Sequence, residues 1–455
     1  MDTKRWTRKI FFGGLALATC FILYLFLPEF IPEVGKRVTA VFLFALLFWA
    51  FEIIPLYATS LLVVLFLTLL LSHPVDRIGE GLNFFLLPFS SPVIMLFLGG
   101  LVLASCASKH SVDRVFMEKM LSKVGMSSHR LVLSLLFISA FFSLFISNTA
   151  AAAMMLALVG PILAKIKKGD PLRVRVVLAI AFGAGIGGIG SPIGSPPNAI
   201  AIGILQEHGV ELNFLSWMLM AIPLAICLIL LAAAVLSLFF RSKTPPISFS
   251  LKSQTPFSQK GKGVLVIGAL MLLLWLSKPI HGISEGIVGL LGTSLFAATG
   301  LISIKDFRNI PWHILVMMWG GLALGEAVVA TGLIENVFDM GRVIQHEFGL
   351  ISAFCLLAML LSSVISNTAT ANLLLPIALS IDPTGQNLLP ITVALACSFS
   401  LIFPVSTPPN AIVYGTGIVS VKEMSKPGVV ISFLALIIML LGFEIVIPLA
   451  FGPLG

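Results

Sequence analysis

Residues 131–164 read LVLSLLFISAFFSLFISNTAAAAMMLALVGPILA, 34 positions without a charged side chain. A bilayer core takes about 20 helical residues to cross, so this stretch is too long for one span and too short for two spans and a loop. The flanks decide between the options. Arg130 precedes it and Lys165, Lys167 and Lys168 follow it, so both ends carry the basic residues of a cytoplasmic face. The stretch therefore reads as a re-entrant hairpin that enters and leaves on one side, with Ser147-Asn148-Thr149 at its midpoint. The same length recurs at 348–381, FGLISAFCLLAMLLSSVISNTATANLLLPIALSI, between Glu347 and Asp382 with few basic residues nearby. Both of its ends read as external, and Ser366-Asn367-Thr368 falls close to its centre. Non-helical backbone at that depth is tolerated only where it is buried in protein or lines a cavity.

The rest of the chain agrees with a bilayer setting. Hydrophobic residues make up 58% and charged residues 11%, against about 25% charged in a soluble domain. Apolar segments fall near 10–27, 38–54, 57–72, 92–108, 176–204, 214–240, 263–277, 286–303, 312–334, 388–418 and 428–451, which gives eleven full spans beside the two hairpins. The run after Lys4-Arg5 and Arg8-Lys9 is long for a signal peptide and has no small-residue cleavage site. It reads as a first span with the N-terminus inside. With that start, 23 of the 28 Lys and Arg fall in cytoplasmic regions, and only Lys36, Arg37, Arg77, Lys278 and Arg342 fall outside. The C-terminus is then external. The net charge of +8 is this loop bias, not a nucleic-acid patch. The five cysteines lie in or beside apolar segments with no Cys-x-x-Cys pair, which favours neither a disulfide nor a metal role.

An internal repeat follows. Gly99-Gly100 pairs with Gly320-Gly321, Ser147-Asn148-Thr149 with Ser366-Asn367-Thr368, and Pro196-Pro197-Asn198 with Pro408-Pro409-Asn410, at offsets of 221, 219 and 212. One hairpin begins inside and the other outside, so the repeats have inverted topology, an architecture of secondary transporters with sites near the midplane. The intended fold is thus an all-α polytopic membrane protein. Its expected parts are scaffold helices over 1–128, a first transport half over 129–241, a cytoplasmic linker over 242–262, further scaffold helices over 263–346 and a second transport half over 347–455.

The hairpin tips carry the chemistry. Small hydroxyls and carboxamides supply donors and acceptors at depth without burying a charge. Ser143 and Ser362 lie four residues before each tip and face the same way. Glycines and Pro192, Pro196 and Pro197 interrupt 176–204, while Pro404, Pro408 and Pro409 interrupt 388–418. Such breaks free carbonyl oxygens, the ligands a hard cation such as sodium takes, and half-helix N-termini offer N–H groups to an anion. No Lys, Arg, His, Asp or Glu lies in 131–164, 176–206, 348–381 or 388–421. A dianion bound among neutral dipoles leaves its charge uncompensated, and co-bound cations remove that cost. Gly183 and Gly187 form a small-xxx-small pattern equally consistent with packing. Glu52 and Glu326 lie in or near apolar segments and are candidate proton-relay groups; Glu52, near a helix end before Pro55, reads rather as a cap or interface residue. The stretch from Lys109 to Arg130 reads as a surface-lying amphipathic helix supporting the first hairpin.

These runs resemble the divalent anion–sodium symporter family of di- and tricarboxylate carriers over essentially the whole chain. The specific pieces are Ser147 through Met155, Ser366 through Ala371, and Ser398 through Val413. The resemblance implies a homodimer in the plasma membrane (the inner membrane of a bacterium) whose transport domain moves as an elevator against its scaffold. It implies that Ser143, Ser147, Asn148 and Gly194 surround one sodium and Ser362, Ser366, Asn367 and Ser406 another. Asn148, Thr149, Asn367 and Thr368 would contact substrate carboxylates, with Ser195, Thr407 and Pro408 closing the pocket. The expected activity is sodium-coupled symport of C4-dicarboxylates such as succinate, malate or fumarate. A sodium-independent exchanger, a citrate or sulfate carrier and an anion channel are the competing readings. Ala157, Ser195, Leu401 and Ser406 depart from the family's usual proline, threonine, phenylalanine and alanine, which bears on substrate and ion choice. No His-Glu-x-x-His or Gly-x-Ser-x-Gly pattern points to an enzyme.

Overall fold

The computed structural model describes residues 3–29, 31–71, 84–122, 127–210, 212–242, 258–333, 347–382 and 388–451. Most of the expected linker, with Pro245-Pro246, and the loop residues Arg77 and Arg342 lie outside the described residues. All regular structure among the described residues is helical. In chain order the helices are α1 (Thr3–Leu25), α2 (Glu33–Ala50), α3 (Leu56–Leu71), α4 (Pro92–Lys109), α5 (Val112–Ser122), α6 (Ser128–Ser143) and α7 (Asn148–Lys165). They continue with α8 (Pro171–Gly187), α9 (Pro196–Glu207), α10 (Phe214–Phe239), α11 (Gln259–Leu276), α12 (Lys278–His281), α13 (Glu285–Ala298), α14 (Ile304–Arg308) and α15 (Trp312–Ala330). The last five are α16 (Glu347–Ser362), α17 (Asn367–Ile381), α18 (Leu389–Cys397), α19 (Pro408–Tyr414) and α20 (Val421–Phe451).

Seven of these are long and apolar enough to cross a membrane: Pro92–Lys109, Asn148–Lys165, Pro171–Gly190, Phe214–Phe239, Gln259–Leu276, Trp312–Ala330 and Val421–Gly442. Other segments read as spans appear as shorter apolar helices, α3 and α13 among them. The segments 176–204 and 388–418 are each broken. The first becomes α8, a short 3-10 turn at Gly188–Gly190 and α9; the second becomes α18 and α19 with ten non-helical residues, 398–407, between.

The chain divides into two compact units. The first comprises Met1–Ile94, Ile200–Glu211 and Pro311–Cys397. Its core runs through Val38, Phe44, Trp49, Leu67, Phe85, Leu324 and Leu373. Helix α15 packs against both α3 and α17, and the repeated glycine pair makes room for both. A Cβ at Gly320 would lie 2.5 Å from the Ser60 Cβ, and one at Gly321 would lie 2.0 Å from Asn372 Oδ1. Asn372 is fully buried and donates through Nδ2 to Met317 O at 3.0 Å, tying α17 to α15. Glu52 stands exposed in the α2–α3 corner with a φ of 46°, so it serves the turn and not the apolar core.

The second unit comprises Met95–Ala199, Leu212–Ile310 and Ser398–Gly455. Helix α8 is buried around nearly its whole circumference, the signature of a central helix. Asp170 caps it, accepting from Leu172 N at 2.8 Å, with Pro171 at the first helical position. Gly183 and Gly187 let α8 lie directly on α6, since Cβ atoms there would come within 2.6 Å of Leu136 O and 2.2 Å of Ala140 O. Their small-xxx-small spacing is packing. Gly99, the first-repeat counterpart of Gly320, meets the Gly289 backbone, where a Cβ would lie 2.5 Å from Cα. Helix α5 is amphipathic and packs on α6, α7 and α11, burying Val115, Met117 and Leu121 together with Asp113 and Glu118. It is half-embedded in protein, more than a surface-lying helix would be.

Candidate functional site

Each charge-free stretch folds as two helices joined by a short turn. Helix α6 ends at Ser143, residues 144–146 turn, and α7 starts after Ser147; α16 ends at Ser362, residues 363–365 turn, and α17 starts after Ser366. The serines fix the restart. Ser147 Oγ accepts from Ala150 N and Ser366 Oγ from Ala369 N, both at 3.2 Å, as N-cap residues do. The first-turn amides of Asn148 and Thr149, and of Asn367 and Thr368, therefore sit at helix N-termini, where the peptide dipoles favour negative charge. In the first unit's pair the tripeptide is half-buried; in the second unit's pair Ser147 and Thr149 are exposed and Asn148 is half-buried.

Beneath each cap the same three oxygens converge. Ser143 Oγ stands 2.5 Å from Asn148 Oδ1 and 2.7 Å from Ala184 O. Ser362 Oγ stands 2.7 Å from Asn367 Oδ1 and 2.5 Å from Cys397 O. Ser143 and Ser362 are fully buried. A hydroxyl carries one hydrogen and can donate to only one of its two neighbours. The second oxygen pair is satisfied either by a half-turn of the carboxamide or by a monovalent cation among the oxygens.

Gly194 closes on the first of these clusters. A Cβ there would lie 2.6 Å from Gly188 O and 3.0 Å from Ser143 O, so only glycine lets this backbone approach. The structure thus gathers Ser143, Asn148 and Gly194, with Ser147 above them as the cap. Ser195 is buried and its carbonyl accepts from Asn198 N at 3.1 Å. Ser406 is buried, its Oγ accepting from Phe403 N at 3.1 Å, and Thr407 caps α19 by accepting from Asn410 N at 3.4 Å. Helix α19, which Pro408 opens, packs against α7 and α8. Ser406, Thr407 and Pro408 therefore belong to the unit that holds Asn148, whereas Ser362, Ser366, Asn367 and Thr368 belong to the other.

Three further residues shape the first break, and sequence reasoning passed over them as site residues. Ser191 Oγ donates to Leu144 O in the turn, Trp217 Nε1 donates to Ile189 O at 2.9 Å, and Asn198 Nδ2 reaches Gly188 O at 2.9 Å and Ser191 O at 2.8 Å. The only signal for Asn198 was its place in the repeated Pro-Pro-Asn run. Glu326, on α15, shares a side-chain hydrogen bond with Glu207, which also meets Ser91. It belongs to none of these oxygen clusters.

The family model for citrate transporters matches residues 46–399. The chain belongs to the citrate transporter family. The resemblance to divalent anion–sodium symporters is borne out as well, and the protein is a multi-pass membrane transporter, not an enzyme. It is 28% identical to the sodium-dependent dicarboxylate transporter SdcS of Staphylococcus saprophyticus, over 94% of this chain and 89% of the relative. The protein of the same name from Staphylococcus aureus is also 28% identical, with the same coverage. Among solved structures, the Alcanivorax borkumensis YdaH transporter aligns with a TM-score of 0.55 at 15% identity, covering 88% of this chain and 98% of that one. Neisseria gonorrhoeae MtrF, described as one of a class of antimetabolite efflux pumps, aligns at 0.54 and 12% identity, covering 86% and 94%. At these identities the two structures speak to fold alone.

Proposed function

We propose that this protein is a sodium-coupled secondary active symporter of C4-dicarboxylates such as succinate, malate and fumarate. The observation that carries the reading is the pair of matching oxygen clusters, Ser143–Asn148–Ala184 and Ser362–Asn367–Cys397, each neutral and each beneath a helix N-terminus. Neutral oxygens in that number suit sodium, and first-turn amides suit a carboxylate. The assigned ligands are Ser143, Ser147, Asn148 and Gly194 for one sodium and Ser362, Ser366, Asn367 and Ser406 for the other. Asn148, Thr149, Asn367 and Thr368 take the substrate carboxylates, and Ser195, Thr407 and Pro408 close around it. The names of the staphylococcal relatives support both cargoes.

In this reading the two helix pairs are re-entrant. Each charge-free stretch of 34 residues carries flanking charges of one side at both of its ends, which supports entry and exit on the same face. The basic-residue distribution supports an N-terminus in the cytoplasm and a C-terminus outside a plasma membrane. Transport proceeds as an elevator in a homodimer. The citrate transporter family name makes citrate the competing substrate. Uptake of labelled succinate into proteoliposomes, with an inward sodium gradient and without one, tests the whole reading. Sodium-driven accumulation that succinate, malate and fumarate inhibit better than citrate or sulfate is expected. Sodium-independent uptake that requires internal counter-substrate would make the protein an exchanger.

A further inference from the structure

Asn198 and Asn410 are the third helical residues of α9 and α19, each behind a Pro-Pro pair, and both are fully buried. Asn198 Nδ2 lies 2.9 Å from Gly188 O, 3.4 Å from Ile189 O and 2.8 Å from Ser191 O. Asn410 Nδ2 lies 3.1 Å from Phe403 O. Ser191 and Phe403 stand at the same distance along the chain from their asparagines, so the bond is repeated along with the motif. The amide orientation is fixed in both, because an oxygen turned toward carbonyls would be repelled. Each Oδ1 then faces the interior, and neither has a hydrogen-bond donor among the described residues. An orphaned buried carboxamide oxygen is costly, and a leucine of similar size would avoid the cost. The chain nonetheless carries this arrangement in both halves.

The backbone that Asn198 holds is the wall of the first oxygen cluster. Gly188 O is the atom against which Gly194 closes, and Gly194 in turn lies on Ser143 O. Ser191, whose carbonyl Asn198 holds, accepts through Oγ from Gly194 N at 3.1 Å and donates to Leu144 O in the turn between α6 and α7. One carboxamide thereby fixes the directions of the break carbonyls and the distance from the break to Ser143 and Asn148.

We infer that Asn198 is a positioning residue for cation binding: it touches neither cargo but sets the carbonyl geometry around it. Asn410 is its repeat counterpart, holding the carbonyl of Phe403, whose N–H donates to Ser406 Oγ. The inference rests on the sodium-symport reading for its cargo, while its structural half stands apart from that reading. The test uses the full-length protein with Asn198→Leu, which keeps the volume, and Asn198→Asp, which keeps the shape but puts oxygens against three carbonyls. Asn410→Leu serves as the repeat counterpart. The first readout is amide hydrogen exchange in detergent over peptides covering 186–195, set against the whole chain. Exchange there is expected to rise selectively in both Asn198 variants. The second is the sodium half-saturation of succinate uptake at fixed succinate, expected to rise about tenfold in each variant, the weight of about one hydrogen bond. The thermal midpoint is expected to fall modestly in the leucine variants and further in Asn198→Asp, whose buried carboxyl meets carbonyl oxygens. Unchanged exchange at 186–195, or a fall in maximal rate and thermal midpoint with sodium half-saturation unmoved, would overturn the inference. If the wild type itself takes up succinate without sodium, the symport reading fails alone. The clamp is then judged by the exchange measurement and by the succinate half-saturation.

Discussion

Ser143 and Ser362 each place one hydroxyl hydrogen between two acceptors less than 3 Å away. Removing the carboxamide on one side of that arrangement tests whether the cluster binds cargo or merely joins helices. Asn148→Ala and Asn367→Ala are each expected to abolish sodium-driven succinate uptake, by two orders of magnitude or more, on the scale of losing ion and anion contacts together. The cost to folding should be only about 1 kcal/mol, since each asparagine is half-buried at a helix start, so folded protein should persist on gel filtration. Wild-type uptake in either variant would refute the assigned role. Ser147 illustrates where reading residue types falls short. The family resemblance implies an oxygen ligand there, and residue type alone does not reveal that the same hydroxyl also caps a helix. The structure shows the cap bond.

At the scale of helices, α8 lies directly on α6 through its glycines. Gly187→Ala would set a methyl 2.2 Å from Ala140 O and 2.3 Å from its Cα, backbone atoms that cannot rotate away. Destabilisation of about 1–3 kcal/mol is expected, read as a lower thermal midpoint, together with lost transport because Ala184 O moves with the helix. Gly160→Ala on α7, where a Cβ meets nothing within 4 Å, is the control and should be neutral or slightly stabilising. A second element-scale test concerns the loop before α14. Lys109 Nζ stands 2.6 Å from Asp306 Oδ2, and this bond, followed by those from Ser303, holds the Asp306 carboxyl well below the usual aspartate range. A lowered folded-state pKa stabilises above the unfolded value, about pH 4, and the effect is lost as pH falls through the folded value. Acidification through that window should therefore release the tie, seen as faster amide exchange over 301–308 relative to the intrinsic rate at each pH. Asp306→Asn should show that faster exchange already at neutral pH and a flatter pH response. The breaks in 176–204 and 388–418 were legible in their prolines and glycines, because those residues act locally. The reach of Asn198 back to Gly188 was not, because a carboxamide's partners are set by the tertiary path of the break and not by spacing.

For the molecule as a whole, membrane character and the repeat were open to reading because both are written in periodic or distributed signals: apolar length, loop charge and three motif pairs. The division of the chain was less accessible. Residues 398–407 and α19 join the unit of the first helix pair, while α18, only ten residues earlier in the chain, joins the other. No composition shift marks that point, since 388–421 is uniformly uncharged. That same lack of charge has an electrical consequence. If the segments that bind cargo carry no formal charge, their return without cargo moves no charge through the membrane field, and voltage acts only on the loaded step. Two sodium ions with a dianion would make that step electrically silent. Each additional sodium would add one elementary charge, worth about 2.3 kcal/mol per 100 mV. Current recordings from proteoliposomes on a solid-supported membrane should therefore show no charge movement in sodium-free solution, and the steady current per succinate should count the sodium ions beyond two.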